Sequence, residues 1–584
     1  MQPAKVPSIR KVDDDMSLSP SLRPQVAQIR DAQDLDVLIV GGGINGIATL
    51  RDLSLQGVKA ALVERGDFVS GASSASSHMV HGGVRYLENG EFRLVKEAVT
   101  ERNALLKTAP HYVRPLPTTI PIFKTFSGIL SAPFRLLVTH GRGKPNERGA
   151  LLIKIGLVIY DTFSRDGGSV PRHRFVGKKK SLADFPKMNE GLAYTATYYD
   201  ASMHDPERLA LDVLSDGLED GSALAANYVT AIGADESGVL LRDEVTGTEF
   251  TVAAKVVLNT SGPWTDLTNA ALGTPTRYMG GTKGSHIVLD NPELLAATRG
   301  REIFFEHSDG RIVLIYPLKG RVLVGTTDID ADPSKKVTCT DDEIQYFFDL
   351  VRHVFPTIEV NRSQIVYTFS GIRPLPRHDD TAPGFVSRDY RIVDGTLGKT
   401  PTLSLVGGKW TTFRALAEHL STRALEKLGR THRVSTQGLA IGGGKGYPMT
   451  PEARRAWVAE RSGRHSASLV LSLLDRYGTR AEAVLADLPA QPTELEHAHG
   501  YFREELAYLA RTEQVVHLID LLLRRTDIAF VGGLSAATLQ EAAEAIAEPL
   551  GWDETRVSEE VAHATQVLRE DHRIDLAEGG RLAS

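Results

Sequence analysis

The chain is nearly without cysteine: Cys339 is the single one among 584 residues. One thiol excludes an intramolecular disulfide and any paired-cysteine redox motif, and with them chemistry of the disulfide-reductase type. Cys339 lies in the polar run Lys336-Val-Thr-Cys-Thr-Asp-Asp342 and is expected to be incidental. Long apolar runs are missing as well. No segment reaches about eighteen uninterrupted apolar residues, so no helix is expected to span a bilayer. Residues 1–33 are polar, contain Asp13-Asp-Asp15 and lack the apolar core of a secretion signal. They read as a disordered tail of a cytoplasmic protein. A net charge of −6 carries no global mark of nucleic-acid binding. Neither a nucleic-acid partner nor a metal site is expected.

What is present is an ordinary globular composition, 42% hydrophobic and 24% charged, on a chain long enough for two or three domains. Its charge is uneven. From Arg114 to Lys180 thirteen Lys and Arg face only Glu147, Asp161 and Asp166, an excess of ten that leaves the remainder at −16. Between 116 and 160 such cations, among them Lys124, Arg142 and Lys154, alternate with apolar stretches such as Ile120-Pro-Ile-Phe123 and Leu151 to Tyr160. Apolar and basic residues together compose an interfacial anchor for an anionic membrane surface. The competing reading is a solvated basic face around ordinary core helices.

The most specific local pattern is Leu35-Asp-Val-Leu-Ile-Val-Gly-Gly-Gly-Ile-Asn-Gly46, an apolar strand running into a glycine turn, followed by a second strand that ends at Glu64. This is a dinucleotide-binding unit. Gly41 permits the turn, Gly43 lets the backbone approach a pyrophosphate, and Gly46 lets the next helix sit close to the strand. That helix, expected from Ile47 to Gln56, offers its free N–H groups to the phosphates, and Ile44 and Asn45 before it are expected to bind the cofactor. Glu64 is placed for the adenosine ribose, which argues against a 2′-phosphate. The serine-rich segment Asp67 to Ser77, with Ser73, Ser76 and Ser77, runs into His78-Met-Val-His-Gly-Gly-Val-Arg-Tyr-Leu87. Small hydroxyl residues at this density suit the wall of a ligand site. Strands are expected at 239–257, 284–289, 311–316 and 321–325, forming a mostly antiparallel sheet. A late strand enters Gly407-Gly-Lys-Trp-Thr-Thr412 and a helix from about Phe413. Beyond about residue 450 the Ala, Leu and Glu periodicities, notably Glu504 to Arg525 and Ser535 to Ala547, predict helices.

This order of elements resembles FAD enzymes of the glutathione-reductase-like fold, in which a late helix directs its N-terminus at the flavin ring. More closely, the chain resembles the FAD-dependent glycerol-3-phosphate dehydrogenase family, from about Asp34 to the C-terminal helices. Four segments carry the resemblance: Ser76 to Glu88, Lys283-Gly-Ser-His-Ile-Val288, Phe369-Ser-Gly-Ile-Arg-Pro-Leu375 and Val406-Gly-Gly-Lys-Trp-Thr-Thr-Phe-Arg414. Asn259-Thr-Ser-Gly-Pro-Trp264, Gly325-Thr-Thr-Asp328, Ser387 to Tyr390 and Leu523-Arg-Arg-Thr526 support it. The resemblance implies an α/β fold with three parts. A Rossmann-type FAD-binding domain draws on 34–110, 205–275 and 355–430. A mostly antiparallel substrate or cap domain, with the basic membrane-facing segment, draws on 111–204 and 276–354. An all-α C-terminal domain spans 445–584.

The resemblance places Arg85, Arg373, Arg388 and Lys409 around the phosphate of the substrate, where arginine suits bidentate contacts, with Tyr86 beside them. Arg373 and Lys409 also count, with His286, as catalytic. His286 is the candidate base for the hydroxyl proton, since imidazole titrates near working pH. The bland alternative is a structural strand histidine. His81, Gly82 and Gly83 are expected to order the flavin-side loop, and Gly262, Gly408, Thr411 and Thr412 to line the cofactor. The family usually carries Lys at the position of His78, so a cation near the flavin is replaced by a group that can be neutral at pH 7. The implied activity is oxidation of sn-glycerol 3-phosphate to dihydroxyacetone phosphate by hydride transfer to FAD. Electrons would pass to a quinone at the inner face of the cytoplasmic membrane, and a homodimer is compatible. An oxidase using O2 would employ the same pocket. A soluble NAD-linked dehydrogenase and a non-catalytic FAD-binding protein with an altered site are the remaining alternatives.

Overall fold

The computed structural model describes residues 22–83, 92–123, 150–164, 170–306, 312–377 and 389–583. Every position of the strand Leu35–Val40 is buried, as a parallel strand covered on both faces requires. It pairs in parallel with Ala60–Val63 on one side and Ala254–Asn259 on the other. Ala223–Ala226 extends one edge, and Thr400–Val406 with its hairpin partner Arg391–Leu397 closes the other, giving six strands. The helices Ile44–Leu55, Pro206–Leu218 and Phe413–Lys427 bury Ile47, Leu50, Leu53, Leu209, Val213 and Leu420 against this sheet. Asp36 is the polar exception in the first strand. Its carboxylate is taken by Lys255 Nζ at 2.8 Å and by Arg430 at 3.1 Å, which compensates its burial.

A second sheet of ten strands is antiparallel apart from the parallel contact between Glu302–Glu306 and Val113–Ile122. Its longest pairing joins Met279–Leu289 to Ile365–Pro376, with Thr282 opposite Arg373, Gly284 opposite Gly371 and His286 opposite Phe369. The strand Ile365–Pro376, grouped by sequence with the FAD-binding part in 355–430, therefore belongs to this sheet instead. Its first five residues, Ile365 to Phe369, are buried, and beyond them only Ile372 and Leu375 are. Met79–Val80, within 34–110, likewise pairs with Ala201 and Ser202 of the second sheet. Because side chains alternate along a strand, His286, Phe369, Gly371 and Arg373 share one face. Further along that same face Val288 and Tyr367 are covered by the C-terminal helices, in one core with Leu473, Leu522 and Leu568. The opposite face packs Ile287, Leu289 and Val324 against the helix Asp341–Val354.

Two expectations are corrected. Residues 24–31, read as part of a disordered tail, form the helix Pro24–Asp31, with Val26 and Ile29 fully buried and Arg23 bonded to Asn227. Proline opens the helix, and two apolar residues one turn apart suffice to dock it. Residues 1–21 lie outside the described part. Glu504 to Arg525 is not one helix: Arg503–Thr512 ends, the chain passes through Gln514 at φ 50°, and a helical turn resumes at Leu518. The left-handed backbone at Gln514 interrupts a periodicity that the sequence carries across it. Lys124 to Arg148 of the basic segment falls outside the described residues.

Candidate active site

The glycine turn is built as its residues require. Gly41 has φ 115°, and a Cβ there would stand 2.7 Å from the backbone of Thr260 and Ser261. A Cβ on Gly46 would overlap the Gly41 carbonyl. Gly43 caps the helix Ile44–Leu55 without a side chain, and the Ile44 N–H is taken by Ser73 Oγ at 3.0 Å. Glu64 accepts the N–H groups of Gly42 at 2.7 Å and Gly66 at 2.9 Å. A carboxylate has about four lone-pair sites, so two acceptor positions remain for ribose hydroxyls. Burial raises the Glu64 pKa against those two backbone donors. Asn45 Oδ1 is buried without a hydrogen-bond partner, an acceptor suited to a bound donor. A cavity of about 910 Å³ runs past Gly41, Gly43, Asn45, Glu64, Ser73 and Gly262 to His78, Phe369 and Gly371. An extended dinucleotide fits this outline: a phosphate-sized turn at one end, a ribose acceptor beside it and a long trough beyond.

The late glycine pair comes to the same place. Gly407 and Gly408 have φ 93° and 122°, and a Cβ on Gly408 would stand 2.5 Å from Asn45 Nδ2. After Lys409 the helical turn Trp410–Thr412 leads into Phe413–Lys427. Trp410 Nε1 donates to the Ser73 carbonyl at 2.8 Å, and Thr411 Oγ1 reaches the His81 carbonyl at 3.5 Å. Trp410 thus docks the turn on the serine loop, Thr411 ties it to His81, and Gly408 lies against Asn45. Ser76 Oγ accepts the His78 N–H at 3.3 Å, and the Gly82 N–H is held by Asp200 at 2.9 Å. Gly83 turns the chain at φ 74°. His78 is buried between Phe530 and Phe369, with ring centroids 5.0 and 6.1 Å away. Burial pushes it down to about 4, so the position carries no charge at pH 7. Arg85, Tyr86 and Arg388 lie outside the described residues.

His286 and Arg373 are brought together on the face of the second sheet. The His286 ring stacks on Phe369, 4.6 Å between centroids and 12° between planes, and its Nε2 meets Ser77 Oγ at 2.8 Å. Burial, reinforced by the Arg373 charge and by His78, holds its pKa well below that of a free imidazole. Neutral imidazole is the form able to accept a proton. Arg373 Nη1 bonds Asp328 at 3.0 Å, and Nη2 bonds Thr326 Oγ1 at 3.0 Å and the Thr327 carbonyl at 2.9 Å.

The C-terminal helices add a wall that the local sequence does not announce. Asp67, three residues beyond Glu64, is fully buried against Arg524 and Arg525, with Arg525 Nη2 at 2.9 Å and Asn227 Nδ2 at 2.8 Å. Burial alone would raise its carboxyl, but Arg525 and Arg524 outweigh it and hold it at about 2. Lys319 bridges Asp205 and Asp527 across the same junction. His517, Glu560 and His563 cluster at the outer rim, yet Glu560 is already spent on His517 at 2.8 Å, the Leu518 N–H at 2.9 Å and Arg556. Asp328 and Arg525 sit in segments that carry the resemblance. Nothing in their own sequence marks them as partners of residues 45 and 458 positions away.

Residues 36–414 match the family model described as FAD dependent oxidoreductase, and 434–557 match the C-terminal domain of alpha-glycerophosphate oxidase. The chain is 33% identical over 553 residues to a glycerol-3-phosphate dehydrogenase of Synechocystis, covering 90% of this chain and 95% of that one. It is 31% identical to the mitochondrial glycerol-3-phosphate dehydrogenase of Arabidopsis thaliana, covering 96% and 90%. The fold is shared with a glycerol-3-phosphate dehydrogenase of Bacillus halodurans solved with FAD, at a TM-score of 0.70, 22% identity and coverage of 93% and 96%. FAD is the cofactor of this fold, and the turn at Gly41, the Glu64 carboxylate and the trough to His78 are fitted to it. The chain belongs to the FAD-dependent glycerol-3-phosphate dehydrogenase family.

Proposed function

We propose that the protein oxidises sn-glycerol 3-phosphate to dihydroxyacetone phosphate and passes the electrons to a membrane quinone. The observation that supports this most is the placement of a buried neutral His286 and a fixed guanidinium, Arg373, on one face beside the cofactor trough. Bound FAD supplies the two-electron acceptor of the oxidation. Arg373 takes the phosphate, and the family resemblance assigns Lys409, Arg85, Tyr86 and Arg388 to the same group. Arginine at the phosphate fixes the orientation of a three-carbon chain, so that its secondary alcohol rather than its primary one comes to the base. His286 takes the alcohol proton, and the Ser77 hydroxyl, 2.8 Å from its Nε2, orients the ring. Phe369 and the C-terminal helices exclude water around the imidazole.

Attachment to an anionic membrane surface fits the helix Ala150–Ser164, which exposes Ile155 and Val158 next to Lys154. Among the described residues no helix is long and apolar enough to cross a membrane. The direct test is anaerobic titration of the purified yellow protein with sn-glycerol 3-phosphate. Stoichiometric bleaching of the flavin band is expected, and an unchanged spectrum would sink the reading. Reoxidation by a short-chain quinone should outpace reoxidation by O2. Faster oxygen consumption with peroxide release would replace the quinone by oxygen as acceptor.

A further inference from the structure

The turn at residues 326–328 takes hold of Arg373. Arg373 Nη1 donates to Asp328, and its Nη2 to Thr326 Oγ1 and the Thr327 carbonyl, all in the segment that follows the strand Arg321–Gly325. Three of the five guanidinium donors are thereby committed to residues 326–328, so the protein and not the ligand sets the plane of the fork. The turn is pinned from behind. Thr327 Oγ1 donates to Glu343 Oε1 at 2.7 Å and accepts the Ser285 N–H at 2.9 Å. Glu343 Oε2 is held by the buried Lys283 Nζ at 2.7 Å and by the Thr340 N–H at 2.8 Å. The floor is equally specific, because a Cβ on Gly284 would overlap the Arg373 guanidinium and one on Gly325 would overlap the His286 ring. Lys283, Gly284, Ser285 and His286 are consecutive, so one strand supplies the brace, the floor and the candidate base.

We propose that Asp328 is a positioning residue that presets Arg373 for a phosphate dianion, with Gly284 leaving the space in which the guanidinium lies. This rests on the reading of Arg373 as the substrate-phosphate site. An arginine already ordered before substrate arrives spares the binding step the cost of ordering it. The effect belongs in recognition of the phosphate rather than in removal of the proton.

The test uses the full-length FAD-loaded protein and three readouts: KM and kcat for sn-glycerol 3-phosphate, and the competitive inhibition constant of inorganic phosphate. Asp328→Ala should raise both KM and the phosphate constant by about tenfold, the scale of re-ordering one long side chain, with kcat within about twofold. Asp328→Asn should recover most of the loss, since an amide oxygen still accepts from Nη1. Gly284→Ala, which pushes the guanidinium off its floor while Asp328 remains, should raise the phosphate constant likewise, and it carries the test if Asp328→Ala fails to hold FAD. If both variants leave the phosphate constant unchanged while Arg373→Ala raises it, the positioning role is overturned and the phosphate site stands. If Arg373→Ala also leaves it unchanged, the phosphate site itself is misplaced and both proposals fall.

Discussion

Two aspartate–arginine pairs of the molecule differ in what surrounds them. Asp67 and Arg525 are both 0% exposed and lie between the serine loop and the C-terminal helices. Arg373 and Asp328 are 23% and 19% exposed, with Arg373 on the sheet face that also carries His286 and Phe369. On the proposed reading, the same two charged groups are structural in one setting and recognitive in the other. A fully desolvated pair has no face left for a ligand, and removing one partner strands a charge in the interior. A pair exposed on one side can share its guanidinium with an incoming phosphate at little structural cost. Burial, not residue type, separates the two roles.

The closed pair should break most severely. Asp67→Ala leaves Arg524 and Arg525 facing each other in the interior and should cost about 3–5 kcal/mol of stability, read as a shift in the denaturant midpoint. A loss of a few tenths would mean that water reaches the junction. At the open pair, Arg373→Ala should lower kcat/KM by about 100-fold while FAD content and the denaturant midpoint hold, because charge-assisted bonds to a phosphate are worth about 1.5–3 kcal/mol each. Unchanged kinetics would place the anion elsewhere.

Acid separates the two regions more gently. His78, His204 and His572 are each pushed down to about 4, chiefly by burial. Unfolded imidazole titrates near 6.5, so between about 6.5 and 4 the unfolded chain binds protons that the folded chain refuses. The stability that these three imidazoles contribute is therefore full above about 6.5 and falls as the pH drops toward 4. Asp67, held at about 2, adds a loss that begins only below its ordinary value near 3.8. In denaturation curves recorded across this range, His78→Gln should lessen the slope by up to one proton, about 1.4 kcal/mol per pH unit. An identical slope would show that His78 is already charged in the fold. The smallest effect is expected on the outer surface, where Ile155→Asp with Val158→Asp should leave stability and flavin reduction alone and weaken binding to anionic vesicles severalfold. Equal binding would remove this helix from the membrane contact.

Legibility in the sequence followed distance along the chain. The turn from Gly41 to Glu64 could be read because strand, glycines, helix and acid fall within thirty residues and each has a local geometric reason. His286 and Arg373 could be named from their segments, but their common face depends on the register of Met279–Leu289 against Ile365–Pro376, which is set by tertiary packing. Asp328 and Asp67 were legible as residues and not as partners, for the same reason. The helix Pro24–Asp31 escaped because eight residues carry too little periodicity. The break after Thr512 escaped because the apolar period continues through it.

The junction at Asp67 also bears on when the holoprotein can form. A chain still on the ribosome has its glycine turn and Glu64 early, but Arg524 and Arg525 emerge some 460 residues later. Until then the first loop of the flavin site holds a carboxylate without its counter-charge. Completion of the cradle waits for Arg524 and Arg525, so a product cut short before them keeps the nucleotide motif yet lacks the buried counter-charge of Asp67.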